Sequence, residues 1–146
     1  MVDVGSDGRR VPWHLWAVGV VSLLWNSFGA YDYVMSKLSP QSYFHQMGLN
    51  DASVAYMMAF PAWLTTFWAL GVWGSVAGSV LLLLRSRHAV AAFALSLLGL
   101  VVSQGYQALV MRPPESPLVA LTAMIWGSLA LLLWYAWAMT RRGVLR

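Results

Sequence analysis

Four long apolar stretches run through this chain almost free of charge, and that pattern limits what it can fold into. Of nine Lys/Arg and five Asp/Glu residues, only Asp32 lies within such a stretch, close to its end. The others fall in tails and connections. A helix needs about 20 apolar residues to cross the hydrocarbon core of a bilayer. Hydrocarbon offers backbone groups no partner, so a spanning segment satisfies them internally, as a helix does. The sequence therefore predicts an all-α polytopic membrane protein with four transmembrane helices in one domain, residues 13–140. The spans fall at about 13–34, 61–84, 89–110 and 118–140, with tails at 1–12 and 141–146. The composition agrees: 10% of residues are charged and 60% hydrophobic, against about 25% charged in a soluble domain.

Basic residues before an apolar run also describe a signal peptide, and Ser27-Phe28-Gly29 offers a weak cleavage site. The run continues past it and three more spans come after, so the first helix is read as uncleaved.

A net charge of +4 raises the question of nucleic acid. The placement of the charges argues against it. Arg9, Arg10, Arg85, Arg87, Arg141, Arg142 and Arg146 fall on one side of the spans, Lys37 and Arg112 on the other. The positive-inside rule then puts both termini in the cytoplasm. Trp13, Trp16, Trp134 and Trp137 would mark the inner interface, and Tyr31, Tyr33, Tyr56 and Tyr106 the outer one.

The connections carry their own signals. Ser39-Pro40 starts a short helix and Gly48 stops it, with Tyr43, Phe44, His45 and Met47 between. This predicts an amphipathic segment on the interface in the first outer loop. Asn50 and Asp51 can cap the next helix. Residues 52–84 are too long for one span, and Pro61, lacking a backbone donor, is the expected break. Met111–Pro117 reads as a rigid, polyproline-like link.

Candidate sites come from the polar residues within the spans. Ser22, Trp25, Asn26, Gly29, Asp32 and Tyr33 form one stripe of the first span. Ser96, Gly99, Ser103, Tyr106 and Gln107 form one of the third, with Gln104 at its edge. Both clusters lie toward the outer side, so the first and third spans are expected to pack there, with Asp32 near Gln104, Gln107 or Arg112. Intramembrane acids point to ion or substrate contacts, although near a span's end an interfacial role serves equally. Asn26 is deeper and suits interhelical bonding. Trp25, Trp73 and Trp126 are mid-span. They read as core side chains, or as aromatic walls of a ligand site. Candidate ligand or coupling residues are thus Trp25, Asn26, Asp32, Trp73, Gln104 and Gln107. Gly71, Gly74 and Gly78 share a face of the second span, a small-xxx-small packing surface whose partner helix is open.

Several chemistries have no foothold. Without cysteine there are no disulfides, thiol nucleophiles or Cys-held metals. No phosphate loop, dinucleotide fingerprint, zincin motif or nucleophile–base arrangement occurs, so no catalytic or metal residues are assigned and no cofactor is expected. His14 and His88 open the first and third spans on one side and could in principle ligate haem axially. Interface depth beside Arg and Trp explains them as well.

Two stretches carry a resemblance. They are Leu24-Trp25-Asn26-Ser27-Phe28-Gly29-Ala30-Tyr31-Asp32-Tyr33, and Phe60-Pro61-Ala62-Trp63 followed by Trp68, Gly71-Val72-Trp73-Gly74 and Leu81–Leu84 running into Arg85. Over about residues 13–110 the chain resembles a family of small bacterial inner-membrane proteins with four predicted helices, often labelled sugar transporters. The resemblance implies that Trp25, Asn26, Asp32, Pro61, Trp63, Trp73 and Gly74 are the positions to test. It also implies residence in the inner membrane.

Three functions are compatible with these residues. The first is a non-enzymatic accessory subunit that packs with itself or within a larger membrane complex. The second is a small-solute, sugar-like transporter using Asn26 and Asp32. The third is a haem- or quinone-binding membrane protein using His14 and His88.

Overall fold

A computed structural model describes residues 10–114 and 119–146. Six helices are found there: α1 (Trp13–Leu38), α2 (Pro40–Gln46), α3 (Asp51–Met58), α4 (Ala62–Leu83), α5 (His88–Leu109) and α6 (Val119–Arg141). Three of them, α4, α5 and α6, are long and apolar enough to cross a membrane. The expected count of four is thus not met on composition. In α1, Asn26, Asp32 and a load of Trp and Tyr dilute an otherwise apolar 26-residue helix. The first helix also runs on to Leu38 rather than ending near Val34, because nothing between those positions breaks it before Ser39-Pro40. Of the Met111–Pro117 link, Glu115–Pro117 lie outside the described residues, as do the start of the fourth span at Leu118 and the tail with Arg9.

The local signals act as their chemistry dictates. Pro40 occupies the first turn of α2, where its missing N–H costs nothing. Gly48, at φ 85°, lets Leu49 N–H reach back to Phe44 C=O at 3.0 Å and close the helix end. Asn50 caps α3 by accepting from Ser53 N–H at 2.9 Å. Pro61 then separates α3 from α4, standing at the α4 N-cap with extended backbone.

Packing is dominated by α4, which has its most extensive interface with α5 and a second with α1. Both neighbours run antiparallel to it. On the α1 side, successive contacts are Gly19 with Leu83, Asn26 with Ser79 and Tyr33 with Trp68. On the α5 side the glycines close the gap. A Cβ added to Gly78 would stand 2.7 Å from the Phe93 ring, one on Gly74 3.1 Å from Ser96, and one on Gly71 3.5 Å from the Leu100 amide. The approach is closest at Gly99, where an added Cβ would meet Gly71 N and Phe67 O at 2.5 Å. The Gly71/Gly74/Gly78 face is therefore occupied within the chain, by α5.

The expected pairing of the first and third spans is corrected by this arrangement. Asn26 and Tyr33 of the α1 stripe, and Ser96 and Gly99 of the α5 stripe, meet α4. Small residues on α4 admit backbones from two sides, which neither α1 nor α5 offers to the other. The buried residues of α6 begin at its middle and run toward its end: Leu129, Leu132, Ala136 and Met139. They join Leu15, Leu82, Ala89 and Phe93 in a core at the end of the bundle where α1 and α5 begin and α4 and α6 end.

That end is locked by residues 143–146. Gly143, at φ 71°, turns the chain back after α6. Val144 and Leu145 are buried in the core. Arg146 N–H donates to Arg85 C=O at 2.8 Å, and Arg87 N–H donates to Arg146 C=O at 2.9 Å. Arg85 itself holds a left-handed φ of 58°, which costs a non-glycine residue about 1–2 kcal/mol. It lets Ser86 N–H close the end of α4 on Leu81 C=O at 2.8 Å.

At the opposite end, α2 and α3 form a cap with a small core of Tyr43, Phe44 and Val54, flanked by Met35, Leu49 and Met57. Outside the bundle the surface is apolar: Val21, Leu24, Phe28, Leu131 and Trp134 are all exposed. Helices apolar on every side suit lipid rather than water.

Candidate functional site

The polar residues of the spans fall into two groups, one between helices and one beneath the cap. Between α1 and α4, Asn26 Nδ2 donates to Ser79 Oγ at 2.9 Å and to Ser75 C=O at 3.2 Å. Ser79 is completely buried and passes its own hydroxyl proton to Ser75 C=O at 3.0 Å. Asn26 thus bonds helices together. Between α4 and α5, Ser96 Oγ donates to Gly71 C=O. Between α5 and α6, Trp126 Nε1 donates to Gln104 Oε1 at 2.7 Å. Among the described residues no buried side-chain nitrogen or oxygen lacks a partner.

Asp32 is half-buried and lies beneath the cap. Its Oδ1 accepts from Tyr43 Oη at 2.7 Å. This corrects the expectation of a contact with Gln104, Gln107 or Arg112: the acid ties α1 to α2, the element that comes next in the chain. Burial, seconded by the bond to Asp32, pushes the Tyr43 phenol up to about 12. Gln107 and the end of α5 are held by a second tyrosine. Tyr56 Oη donates to Met111 C=O at 2.7 Å and stands 3.4 Å from Gln107 Oε1. Burial raises the Tyr56 pKa as well.

Aromatic rings continue from these tyrosines into a groove. Tyr33 meets Trp68 edge-on at 5.0 Å between centroids, Trp68 meets Phe60 at 6.4 Å, and Phe60 meets Tyr56 at 5.3 Å. Lys37 Nζ lies 5.0 Å from the Trp68 ring centre and 5.8 Å from that of Tyr33, within cation–π range. Ser36, Lys37, Phe44, Met58, Phe60 and Trp68 line most of an open cavity of about 170 Å³.

The remaining candidates are dispersed. Trp25 is half-buried on α1, while Trp73 is 47% exposed on α4. His14 Nδ1 is 2.5 Å from Tyr135 Oη, which ties α1 to α6. His88 is exposed at the start of α5. Among the described residues no three of His, Asp and Glu gather where they could hold a metal ion.

Lys37, Phe60 and Trp68 were not singled out as a site by the sequence. Their convergence depends on the angle the chain takes at Pro61 and on α1 continuing to Leu38. The only signal was a lone lysine three residues before a helix-starting proline, in a segment rich in rings.

No known protein family, curated protein or solved structure matches the chain.

Proposed function

We propose that this chain is a four-span protein of the bacterial inner membrane, with both termini in the cytoplasm. In this reading it is a non-enzymatic packing subunit, of a homo-oligomer or of a larger membrane complex. Support for α1 as the fourth span comes from its course. At about 1.5 Å per residue it extends about 39 Å, and it accompanies α4 from Gly19–Leu83 to Tyr33–Trp68. A helix that runs beside a spanning helix this far crosses the same thickness. Support for the orientation is the arginine-rich end formed by Arg85, Arg87, Arg141, Arg142 and Arg146.

The observation that carries the packing role is where the polar groups of the spans go. Asn26, Ser79, Ser96, Gln104 and Trp126 bond neighbouring helices, and Leu15, Leu82 and Phe93 are fully buried in the core. This leaves little to line a route through a single copy. The outside is different. Gly29, Gly105 and Gly127 have no atom within 4 Å of where a Cβ would stand, so the backbone of another helix can come close there.

Native mass spectrometry of protein gently extracted from its own membranes tests this. The expected result is a defined homo-oligomer or co-purification with subunits of a complex. A lone monomer that catalyses solute uptake in vesicles, with uptake lost on Asp32→Asn, would replace the packing role with the transport reading.

A further inference from the structure

The groove beneath the cap has a composition that helix packing does not require. Its lining is mixed: Phe44, Met57, Met58, Phe60 and Trp68 supply rings and thioethers, beside Ser36 and Lys37. Its one charged group is Lys37, 5.0 Å from the Trp68 ring centre. Among the described residues Lys37 has no carboxylate partner. Asp32 is bonded to Tyr43, and Asp51 lies 3.5 Å from His45. Ser36, also in the lining, already donates its hydroxyl proton to Tyr33 C=O at 2.7 Å, so Lys37 is the donor facing an incoming anion. A cation set on an aromatic wall, at the end of a helix that runs beside a spanning one, is placed to meet an anion at the membrane surface.

Size narrows the occupant. The space is about 170 Å³ and open on one side, whereas pockets that enclose a whole small molecule measure about 300–1,000 Å³. The groove therefore suits one anionic group of a larger molecule whose remainder lies outside. We infer that the groove formed by Lys37, Phe44, Phe60 and Trp68 binds the phosphate headgroup of an anionic glycerophospholipid, whose acyl chains stay in the surrounding bilayer. Lys37 takes the phosphate, and the rings and methionines take the glycerol and first methylenes. The inference depends on the membrane location and is separate from the packing role. A lipid and a protein subunit differ in mass, so one spectrum tests each independently.

The test uses the full chain in a neutral detergent, titrated with phosphatidylglycerol or phosphatidylcholine. Bound lipid is read by native mass spectrometry, and Tm is measured in parallel. Expected is retention of one phosphatidylglycerol with a raised Tm, at least tenfold weaker retention of phosphatidylcholine, and weakening as salt is added. Lys37→Gln should lose the preference about tenfold, and Lys37→Arg should keep it. Trp68→Leu should weaken both lipids. Arg141→Gln, at the other end of the molecule, should change nothing in this tight class. Should Lys37→Gln fail to fold, the salt series on the unaltered chain decides. Equal retention of the two lipids would overturn the inference, as would a preference that survives Lys37→Gln. So would competition by free glycerol phosphate at millimolar concentration, which would make the site one for a soluble phosphate ester. Competition by a neutral sugar would likewise overturn it.

Discussion

Tyr43 shows how a single side chain couples the cap to the bundle. Its ring is buried among Phe44 and Val54, and its hydroxyl proton is spent on Asp32. A phenol whose pKa is about 12 in the folded chain, against about 10 when exposed, holds its proton more tightly when folded. The stabilisation is therefore complete below about pH 10 and drains away as pH rises through about 12. Thermal unfolding between pH 9 and 12 should show this decline, and Tyr43→Phe should show a flatter one from a lower start. The start should be lower by about 1.5–3 kcal/mol, the usual worth of a hydrogen bond to a charged group. Parallel curves for the two proteins would refute the coupling. Tyr56 is shifted in the same direction by burial, so the difference between variant and parent is the quantity to read. Both tyrosines were legible in the sequence as interface residues. Their partners were not, because which carboxylate or carbonyl a tyrosine reaches depends on how α2 and α3 fold back.

Among the elements, α4 organises the rest, and its glycines are not equivalent. An added methyl at Gly71 makes ordinary contact, at 3.5 Å. One at Gly99 runs into the backbone of α4 at 2.5 Å, where no side chain can swing aside. Gly99→Ala should therefore cost about 1–3 kcal/mol, the usual penalty of overpacking, while Gly71→Ala should be nearly neutral. Unfolding titrations of the two variants in mixed micelles would check the order, and equal costs would contradict the close α4–α5 contact. The small-residue face of α4 was visible from spacing alone, and so were the break at Pro61, the start at Pro40 and the stop at Gly48. Gly99 was visible only as a member of a stripe. Which helix that stripe met was not readable, since periodicity gives a face and not its neighbour. The same gap explains why the first and third spans looked like partners: similar depth is necessary for contact, but α4 stands ready with serines for one and glycines for the other.

For the whole molecule, the distribution of charge announced the membrane class, and Arg85, Arg87, Arg141, Arg142 and Arg146 were already assigned to one end, with Arg112 at the other. The groove at the other end was not announced, because it is assembled from α1, α2, α3 and α4 together. The two ends also differ in how they are closed. One is capped by helices that lie in mid-sequence. The other is fastened by backbone exchange between Arg146 and the Arg85–Arg87 turn, with Val144 and Leu145 filling the core. Removing Val144–Arg146 should leave the helices in place yet speed hydrogen exchange at the Arg87 amide, which loses its acceptor. Unchanged exchange there would mean that the fastening carries no weight. The fastening also bears on biogenesis. A ribosome makes residues 144–146 after every helix of the bundle has been made, so the α4–α5 hairpin can enter the bilayer early while its turn remains unsecured. Closure of this turn therefore waits on residues made after α6, and a nascent chain stalled short of Val144 would carry α4 and α5 without the bonds that fasten the turn between them.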